Sequence, residues 1–271
     1  MRRVPLLVLL ALLAAGCGGN KSSAPFPATT ATSTHATETA AGTTTAEQPV
    51  VLRVYLLRKG VVAPVARSVP RTKAVARAAV EQLLAGPTAA ERDAGFGTDV
   101  PAAAELRGVT VADRTATVDF SKSFAEGADA AIAQVVYTLT QFPTVSRVRF
   151  ELDGADMPTL DHPAGRGDYE ELTPPLLVES PLPGETVASP LRIAGTANAY
   201  EATFQAELLD ASGAVLVHKM VMATSGSGQR GTFEETLPYT GGGAGKLVVY
   251  EDSAANGSRI HQVEIPLELR P

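Results

Sequence analysis

The chain has 271 residues, of which 23 are Lys or Arg and 29 are Asp or Glu, so its formal charge is −6. An acidic chain without a basic cluster repels phosphate backbones, which argues against nucleic acid as a partner. One cysteine and no tryptophan are present, so an intrachain disulfide is excluded and any core must consist mainly of Val, Leu, Ile and Ala. The length suits two ordinary domains.

Residues 1–16 have the order of a bacterial secretory signal. A short basic start, Met1-Arg2-Arg3, is followed by the apolar run Val4–Ala15 and the small residues Ala14-Ala15-Gly16. The apolar run is far shorter than the ~20 residues that a transmembrane helix needs. We therefore expect a signal peptide over residues 1–16 that is removed from the mature protein.

The single cysteine, Cys17, follows this signal directly. The sequence LAAGC, Leu13–Cys17, resembles the bacterial lipobox, in which the thiol receives a diacylglyceryl group and cleavage occurs just before it. Ala14 stands where the pattern usually has Leu. A catalytic thiol would need a nearby His and a folded pocket, and Gly18 and Gly19 favour neither; an incidental cysteine is the remaining alternative. The resemblance implies lipidation of Cys17 and a place on the extracytoplasmic face of the cell membrane.

Residues 17–49 are expected to be a disordered tether behind the lipidated cysteine. Lys21–Pro49 is rich in Thr, Ala and Ser, has few large apolar residues and shows no period. Such a segment cannot bury enough apolar surface to offset the entropy of ordering. As a flexible chain it would reach roughly 30 Å from the membrane.

The first part of the next segment, residues 50–157, predicts a β-hairpin and two helices. Val51–Leu57 and Val61–Val69 read as strands joined by a turn at residues 58–60, and Pro64 places the second strand at a sheet edge. Thr72 is expected to cap a helix over residues 73–85. The sequence TAAE, Thr88–Glu91, is a capping box that opens a further turn.

The remainder of this segment predicts a second hairpin, a helix and a strand. LRGVTV and TATVDF form the hairpin across residues 112–114. Ile132, Val135, Val136 and Leu139 share one helical stripe, and Pro143 ends that helix. In VSRVRFEL apolar and charged residues alternate, which predicts a strand. The order ββα-ββα-β predicts an α+β domain with two helices packed on one face of a sheet.

Residues 158–173 form a polar link, and residues 174–271 predict an all-β domain. Seven short strands follow one another at regular spacing, with turns at Pro183-Gly184, Ser212-Gly213, residues 241–243 and Asn256-Gly257. This spacing is typical of a β-sandwich. The Cys-Trp-Cys core of antibody domains is missing, so packing alone must hold the two sheets together.

Two family resemblances cover these segments. RVYLL, ARAAVEQLLAGPTAAE, GVTVADRTATVDFS and VVYTLTQFPTVSRVRFELDG resemble the GerMN domain of spore-germination lipoproteins, although Asp113-Arg114 stands where the family commonly has a turn glycine. Residues 174–269 resemble the immunoglobulin-like domain of germination and sporulation proteins, the Gmad type. The resemblances imply a bacterial lipoprotein: an α+β GerMN-like domain, two helices on a sheet, followed by an immunoglobulin-like sandwich. They also imply a place in cell-envelope assemblies and no enzymatic activity.

No motif in the sequence indicates a catalytic, cofactor or metal site. His35, His162, His218 and His261 lack the paired spacing of a zinc site. Ser225–Gly231 lacks the first glycine of a nucleophile elbow and reads as a loop. Four acidic residues are expected to form a solvated acidic linker: Asp153, Asp156, Asp161 and Asp168. A calcium site is the alternative, but their spacing does not fit an EF-hand loop. Asp119 and Ser121 are expected to close a strand through hydrogen bonds.

We therefore expect a lipid-anchored, extracytoplasmic, non-catalytic protein that binds envelope proteins, such as a membrane sensor kinase or an assembly complex. The edge strand Val61–Val69 would offer unpaired backbone groups to another chain. The alternative is a module that binds cell-wall glycan or peptidoglycan fragments through the loops of the sandwich and the cleft between the domains, with Tyr200, Tyr239 and Tyr250 as stacking faces. An envelope hydrolase is a third, less supported hypothesis.

Overall fold

A computed structural model describes residues 48–271 of the chain. The predicted signal peptide, Cys17 and nearly all of the tether therefore lie outside the described residues. Residues 46–271 form one compact unit. Within the described part of the chain, no helix is long and apolar enough to span a membrane.

The first domain combines short helices with two sheets. Its strands are β1 (Val50–Arg58), β2 (Val61–Val69), β3 (Phe96–Gly97), β4 (Leu106–Ala112), β5 (Thr115–Phe120), β6 (Arg147–Leu152) and β7 (Ala155–Asp156). Its helices are α1 (Val75–Leu84), α2 (Ala89–Asp93), α3 (Asp129–Leu139) and two 3₁₀ helices, Lys122–Glu126 and Arg166–Leu172. The strands form one sheet in the order β2-β1-β3 and another in the order β4-β5-β6-β7.

The α+β class is confirmed, but the expected arrangement of two helices on one face of a sheet is not. Helices α1 and α3 pack against each other; α1 contacts β1 and β4, while α3 contacts β1, β2 and β6. Strand β1 pairs with β3 over two residue pairs and with no strand of the second sheet, so the two sheets are separate. Strand β5 pairs in parallel with β6, and α3 lies on the connection between them.

Local turn and cap signals mostly act as the sequence indicates. The β1–β2 hairpin turns at Lys59 and Gly60, both with positive φ, as a tight two-residue loop requires. Thr88 and Glu91 form the predicted capping box at α2. The predicted helix cap at Thr72 is wrong, because α1 begins at Val75 and its N-cap residue is Ala74. The Thr72 hydroxyl instead accepts the Ala74 N–H at 3.1 Å, which closes a turn before the helix.

Helix α3 is buried on every side, which the single apolar stripe in the sequence does not predict. All residues from Ala130 to Leu139 are buried, including the polar Gln134 and Thr138. Strands pack on one side of the helix, while α1 and the 3₁₀ helix Arg166–Leu172 cover others. Two buried polar side chains need hydrogen-bond partners, and both find them on β1.

Polar side chains of α3 satisfy the edge of β1 that faces away from β2. The Tyr55 N–H donates to Thr138 Oγ1 at 3.1 Å, and the Tyr55 carbonyl accepts from Gln134 Nε2 at 3.0 Å. One turn beyond the helix, Gln141 bonds both backbone groups of Arg53, at 2.9 and 2.6 Å. Three side chains at helical spacing thus take the place of a neighbouring strand, since each buried backbone group would otherwise cost about 1–3 kcal/mol.

Hydrogen-bonded and non-bonded residue pairs alternate along β1 and β2, and this alternation determines which backbone groups of β2 face outward. In a two-residue hairpin the pair that flanks the turn is hydrogen-bonded, so bonded and non-bonded pairs alternate from Arg58 and Val61. The backbone groups of Val62, Pro64, Ala66 and Ser68 therefore point away from β1. Pro64 occupies a position where no N–H is needed, which agrees with the predicted edge strand.

The second domain is the predicted β-sandwich. Its strands are β8 (Leu176–Ser180), β9 (Thr186–Ala188), β10 (Leu191–Ala197), β11 (Thr203–Asp210), β12 (Val215–Met222), β13 (Gly231–Leu237), β14 (Gly243–Asp252) and β15 (Arg259–Arg270). They form a three-stranded sheet, β13-β10-β8, and a five-stranded sheet, β12-β11-β14-β15-β9. The seven predicted strands are all present, and β9, which pairs in parallel with β15, was not predicted.

Alternating residues of both sheets build the sandwich core. Phe204 and Phe233 from opposite sheets meet edge to face, with ring centroids 4.8 Å apart. Gly195 lies at a bulge between β8 and β10, and a Cβ there would stand 2.0 Å from the Leu177 carbonyl oxygen. The two sheets therefore pack through apolar side chains and one close backbone approach, without a disulfide.

We expect Thr138→Val to lower the free energy of unfolding by about 1–3 kcal/mol, because the substitution keeps the side-chain shape but leaves the buried Tyr55 N–H without a partner. Chemical denaturation of the compact unit, residues 46–271, measures this. Thr117→Val is the matched control, since the Thr117 side chain on β5 makes no hydrogen bond within residues 48–271. Equal effects of the two substitutions would contradict the proposed role of α3.

Candidate functional site

Arg166 joins the two domains at a largely buried position. The guanidinium Nη1 lies 2.9 Å from Glu179 Oε1 on β8, and Nε donates to Thr140 Oγ1 at 2.7 Å. Its Cζ lies 4.7 Å from the ring centroid of Tyr137 and 5.5 Å from that of Tyr55. Arg166 thus combines an ion pair to the second domain with cation–π contacts to the first.

Tyr55 and Arg53 of β1 complete this junction. The Tyr55 hydroxyl donates to Glu179 Oε1, and Arg53 Nη1 donates to the Glu179 carbonyl at 3.3 Å. Burial raises the pKa of the Tyr55 hydroxyl above its ordinary range, and the negative charge of Glu179 raises it further. The phenol therefore stays protonated and remains a donor at physiological pH.

A second ion pair connects the 3₁₀ helix to the sandwich. Glu170 accepts both Nε and Nη2 of Arg230, at 2.9 and 3.0 Å, in a bidentate pair. Arg230 also donates to the Pro174 carbonyl at 2.9 Å, and Asn198 donates to Glu170 at 2.9 Å. Hydrogen bonds from Arg230 hold the pKa of Glu170 below its usual range, although partial burial opposes this.

These contacts make the link a packed, ordered part of the fold, whereas its composition indicates a polar spacer. Ala164 bridges to Val148 of β6, and Tyr169 and Thr173 are buried. Residues 158–173 are therefore packed against the first domain and ion-paired to the second. Leu177 of β8 belongs to the same apolar core as the first domain, so the two domains share buried surface as well.

Beside the junction lies a groove of about 400 Å³. The first domain contributes the hairpin tip, Arg58 and Lys59, and the start of β2, Val61–Pro64. The second domain contributes Pro174–Val178 and His261–Ile265. The lining is mostly apolar with charged groups of both signs, which suits an apolar segment of a protein or peptide better than a small ion.

The edge of β2 is less open than the sequence predicts. Val62 and Pro64, whose backbone groups point outward, are buried against the groove and the second domain. Ala66 and Ser68 remain exposed. Arg67 lies between them and pairs with Glu91 of α2 at 2.5 Å, with its Nη1 also donating to the Ala66 carbonyl at 3.1 Å. The part of this edge available to another chain is therefore short.

The four acidic residues considered for calcium do not form one cluster. Asp153 pairs with Arg107 at 3.6 Å, and Asp156 pairs with Arg149 at 3.2 Å. Asp161 bonds to its neighbour His162, while Asp168 accepts the Gly165 N–H at 2.7 Å. Within residues 48–271, no group of three or more His, Cys, Asp or Glu side chains is arranged to hold a metal ion.

The described histidines also lie apart from one another. His162 is in the link, His218 on β12 bonds to Gln205 at 3.0 Å, and His261 on β15 bonds to the buried Glu251 at 2.7 Å. His35 lies outside the described residues. Each described histidine therefore has its own local partner.

Ser225–Gly231 is a packed loop. A Cβ on Gly226 would lie 2.4 Å from the Ala199 carbonyl oxygen, and one on Gly231 would lie 2.3 Å from the Ser225 nitrogen. The glycines thus permit close backbone approach between strands. Asp119 accepts the Gly154 N–H at 2.9 Å and Ser121 accepts the Glu105 N–H at 3.0 Å, as the sequence indicates.

The three tyrosines considered for glycan stacking do not form one surface. Tyr239 is buried, and its hydroxyl donates to backbone carbonyls of Val187 and Arg270. Tyr250 is buried beneath Arg259, whose Cζ is 3.9 Å from the ring centroid. Tyr200 is exposed, beside a pocket of about 280 Å³ that Gln205 and Asp252 also line.

The junction residues carried little signal in the sequence. Arg53 and Tyr55 interrupt an otherwise apolar strand, a signal that could have singled them out, but nothing nearby indicates a partner. Arg166, Glu170, Glu179 and Arg230 are charged residues spread over 65 positions of chain. Their pairing depends on how the domains dock, which no local pattern specifies.

Arg166→Gln should lower the free energy of unfolding by about 3 kcal/mol, because Glu179 would remain buried without its cation. Glu179 is 14% exposed and Arg166 is 24% exposed in the pair, so solvent replaces the interaction poorly. Denaturant titration of residues 46–271 measures the loss. The control, Arg192→Gln, removes an exposed pair with Glu234 and should cost under about 1 kcal/mol. Similar losses in the two variants would contradict a buried ionic junction.

The Glu170–Arg230 pair predicts a specific pH dependence. Because the pKa of Glu170 is lowered in the folded state, its contribution is present above the unfolded value of about 4.3 and is lost as pH falls through the folded value. Glu170→Gln should therefore lower the thermal midpoint at pH 7, with the difference from wild type vanishing toward pH 3.

Thermal unfolding from about pH 7 to about pH 3 tests this expectation. The neighbouring Glu171→Gln is the matched control, since Glu171 is exposed and makes no ion pair within the described residues. A Glu170→Gln difference that stays constant down to pH 3 would show that the ion pair is not its cause.

Comparisons with known proteins place both domains in families. Residues 53–157 match the Germane model, described as sporulation and spore germination. Residues 176–258 match Gmad2, described as the immunoglobulin-like domain of bacterial spore germination. Among curated proteins nothing matches the chain.

Solved structures with similarity include two of the sporulation protein GerM from Bacillus subtilis. Its first GerMN domain is 28% identical, with 43% of this chain and 95% of that chain covered and a TM-score of 0.37. Its tandem GerMN domains are 18% identical, with 70% and 61% covered and a TM-score of 0.39. A putative lipoprotein from Clostridium perfringens is 18% identical, with 46% and 93% covered and a TM-score of 0.33.

Because these TM-scores are below 0.5, we base the assignment on the two family models. Together the models cover most of both folded domains and leave the link and the last strand, β15, unmatched. The α+β fold of the first domain and the sandwich of the second agree with them. The protein therefore carries a GerMN-type Germane domain followed by an immunoglobulin-like domain of the bacterial spore germination family.

Proposed function

We propose that this protein is a lipid-anchored, non-catalytic component of the cell envelope that presents its two domains as one rigid head to envelope proteins. The coarse part of this function, a sporulation- or germination-related extracytoplasmic role, follows from the two domain families. The anchor at Cys17 is supported by the lipobox resemblance in the sequence.

The observation that carries the proposal is the junction between the domains. Arg166 with Glu179, and Arg230 with Glu170, restrain the head at two places, and the groove lies where both domains meet. A mobile pair of domains would lose binding free energy to ordering, whereas a preorganised surface does not. The apolar lining of the groove suits a protein segment, with Arg58 and Lys59 available to a carboxylate of the partner.

A non-catalytic role agrees with the distribution of polar groups. The titratable side chains at the junction are ion-paired or hydrogen-bonded to one another rather than directed into the groove. An activated nucleophile requires a base within hydrogen-bond reach and an orienting third group. Within residues 48–271 the serines considered above serve loops and strand ends instead.

A cell-wall glycan ligand is the second candidate, supported by exposed Tyr200 and the polar pocket beside it. Stacking on aromatic rings together with amide and carboxylate hydrogen bonds is the usual chemistry for sugars, and Gln205 and Asp252 line this pocket. With one exposed ring among the three tyrosines, this candidate has less support than protein binding.

In-cell photo-crosslinking tests the proposal. A crosslinking amino acid in place of Val61, at the groove, should capture an envelope protein from the membrane fraction of cells that express the full chain. The same crosslinking amino acid in place of Val111, which is exposed on β4, is the matched control and should capture little envelope protein. Adding Cys17→Ala should release the protein from the membrane and abolish acyl labelling and capture.

The outcomes separate the candidates. Capture of glycan or peptidoglycan from position 61 or 200 would favour the second candidate. Membrane attachment that survives Cys17→Ala would contradict the lipid anchor. Equal capture from positions 61 and 111 would contradict the groove as the binding surface.

A further inference from the structure

Strand β12 carries one imidazole and two thioethers on the face of the sandwich that points away from the core. His218, Met220 and Met222 follow one another at every second position of the strand. Because side chains alternate along a strand, all three project from the same face. Val221, which lies between the two methionines, is buried in the sandwich core, so the three side chains project from the outer face of the sheet.

The two methionines of this strand are exposed although their side chains are apolar. Met220 is 59% exposed and Met222 is 67% exposed, and His218 beside them is exposed as well. The third methionine of the described residues, Met157, is buried in the first domain. Burial of a large apolar side chain is favourable, so packing gives no reason for methionine at two successive outward positions.

A chain of two hydrogen bonds orients the imidazole of His218. Its Nε2 lies 3.0 Å from Gln205 Oε1, and the Gln205 amide nitrogen donates to Asp252 Oδ2 at 3.1 Å. The second bond fixes the amide with its oxygen toward His218, so the imidazole Nε2 carries the proton. The other ring nitrogen, Nδ1, therefore carries the lone pair, and it makes no hydrogen bond within residues 48–271.

The same contact inclines the imidazole toward the first of the two methionines. On β11, Gln205 is the register partner of Met220, whereas the register partner of His218 is Glu207. The ring of His218 therefore leans diagonally along the sheet toward the position of Met220. Two residues along a strand span about 6.8 Å, a distance that the flexible side chains of Met220 and Met222 can close around one ion.

This set of donor atoms selects a soft metal ion. Thioether sulfur favours Cu(I), and imidazole nitrogen also suits copper. Calcium and magnesium require oxygen ligands, and zinc sites use thiolate, imidazole or carboxylate groups rather than thioethers. In metal-binding histidines the second ring nitrogen usually donates to an oxygen atom that fixes the ring, and Gln205 Oε1 occupies that place beside His218.

We propose that His218 Nδ1 and the sulfur atoms of Met220 and Met222 bind one Cu(I) ion on the outer face of the sandwich. Gln205 is a positioning residue, since it holds the imidazole and does not touch the ion. The paired histidine spacing that the sequence lacks is not needed here, because thioethers supply two of the three ligands. The site uses neither the groove nor the lipid anchor, so it is independent of the function proposed above.

Anaerobic titration calorimetry tests this inference, with Cu(I) kept in solution by acetonitrile as a weak ligand. The protein is the compact unit, residues 46–271, which contains no cysteine whose thiol could bind the metal. Wild type should bind one equivalent of Cu(I). Met220→Leu with Met222→Leu should raise the Cu(I) dissociation constant by at least about tenfold, because leucine keeps the apolar volume and lacks the sulfur. The control, His162→Gln, removes an exposed histidine elsewhere and should bind Cu(I) like wild type.

X-ray absorption at the copper edge provides a second measurement. Loaded wild type should show sulfur and nitrogen ligands, and the double leucine variant should lose the sulfur ligands. Gln205→Leu should weaken Cu(I) binding about tenfold while the sulfur ligands remain.

A wild type that binds no Cu(I) in the calorimeter would overturn the proposal. So would an affinity for Cu(I) that the leucine pair leaves unchanged, or one that His162→Gln lowers equally. Zn(II) bound at the same residues as tightly as Cu(I) would contradict a site selective for a soft ion.

Discussion

The fold depends on how the backbone of β1 is satisfied where no strand lies beside it. Gln134 and Thr138 of α3, with Gln141 just beyond its end, supply the hydrogen bonds that a neighbouring strand would supply, at Tyr55 and Arg53. This fixes α3 against the sheet and explains why polar residues occur in a helix that is buried on all sides. Gln134 Oε1 also accepts the Asp99 N–H at 2.9 Å, so the same helix orders the loop that leads from β3.

The same arrangement allows β1 to serve both domains. The Tyr55 and Arg53 side chains of this strand both reach Glu179 at the junction, while the Tyr55 ring lies 5.3 Å from that of Tyr137 on α3. A strand buried on both faces needs a nearly continuous apolar sequence, which VVLRVYLL provides. Two polar positions in that run are therefore the ones that reach the second domain. The buried junction and the groove both include residues of this strand.

Elements specified by neighbouring residues could be predicted from the sequence. The turn at Lys59-Gly60, the capping box Thr88–Glu91 and the outward position of Pro64 each depend on a few adjacent residues. Features that need distant partners were missed: the parallel pairing of β9 with β15, the division of the first domain into two sheets and the ion pairs of the link. At Thr72 even a local pattern failed, since the Thr72 hydroxyl closes a turn at Ala74 and α1 begins at Val75.

By itself, the sequence determined the α+β and sandwich classes, because strand alternation, helical stripes and turn residues act within about ten positions. It also supplied the lipobox resemblance at Cys17, which lies outside the described residues. Tertiary structure alone decided which strand edges stay open. Docking of the second domain covers much of β2, because edge exposure depends on contacts between segments far apart in the chain.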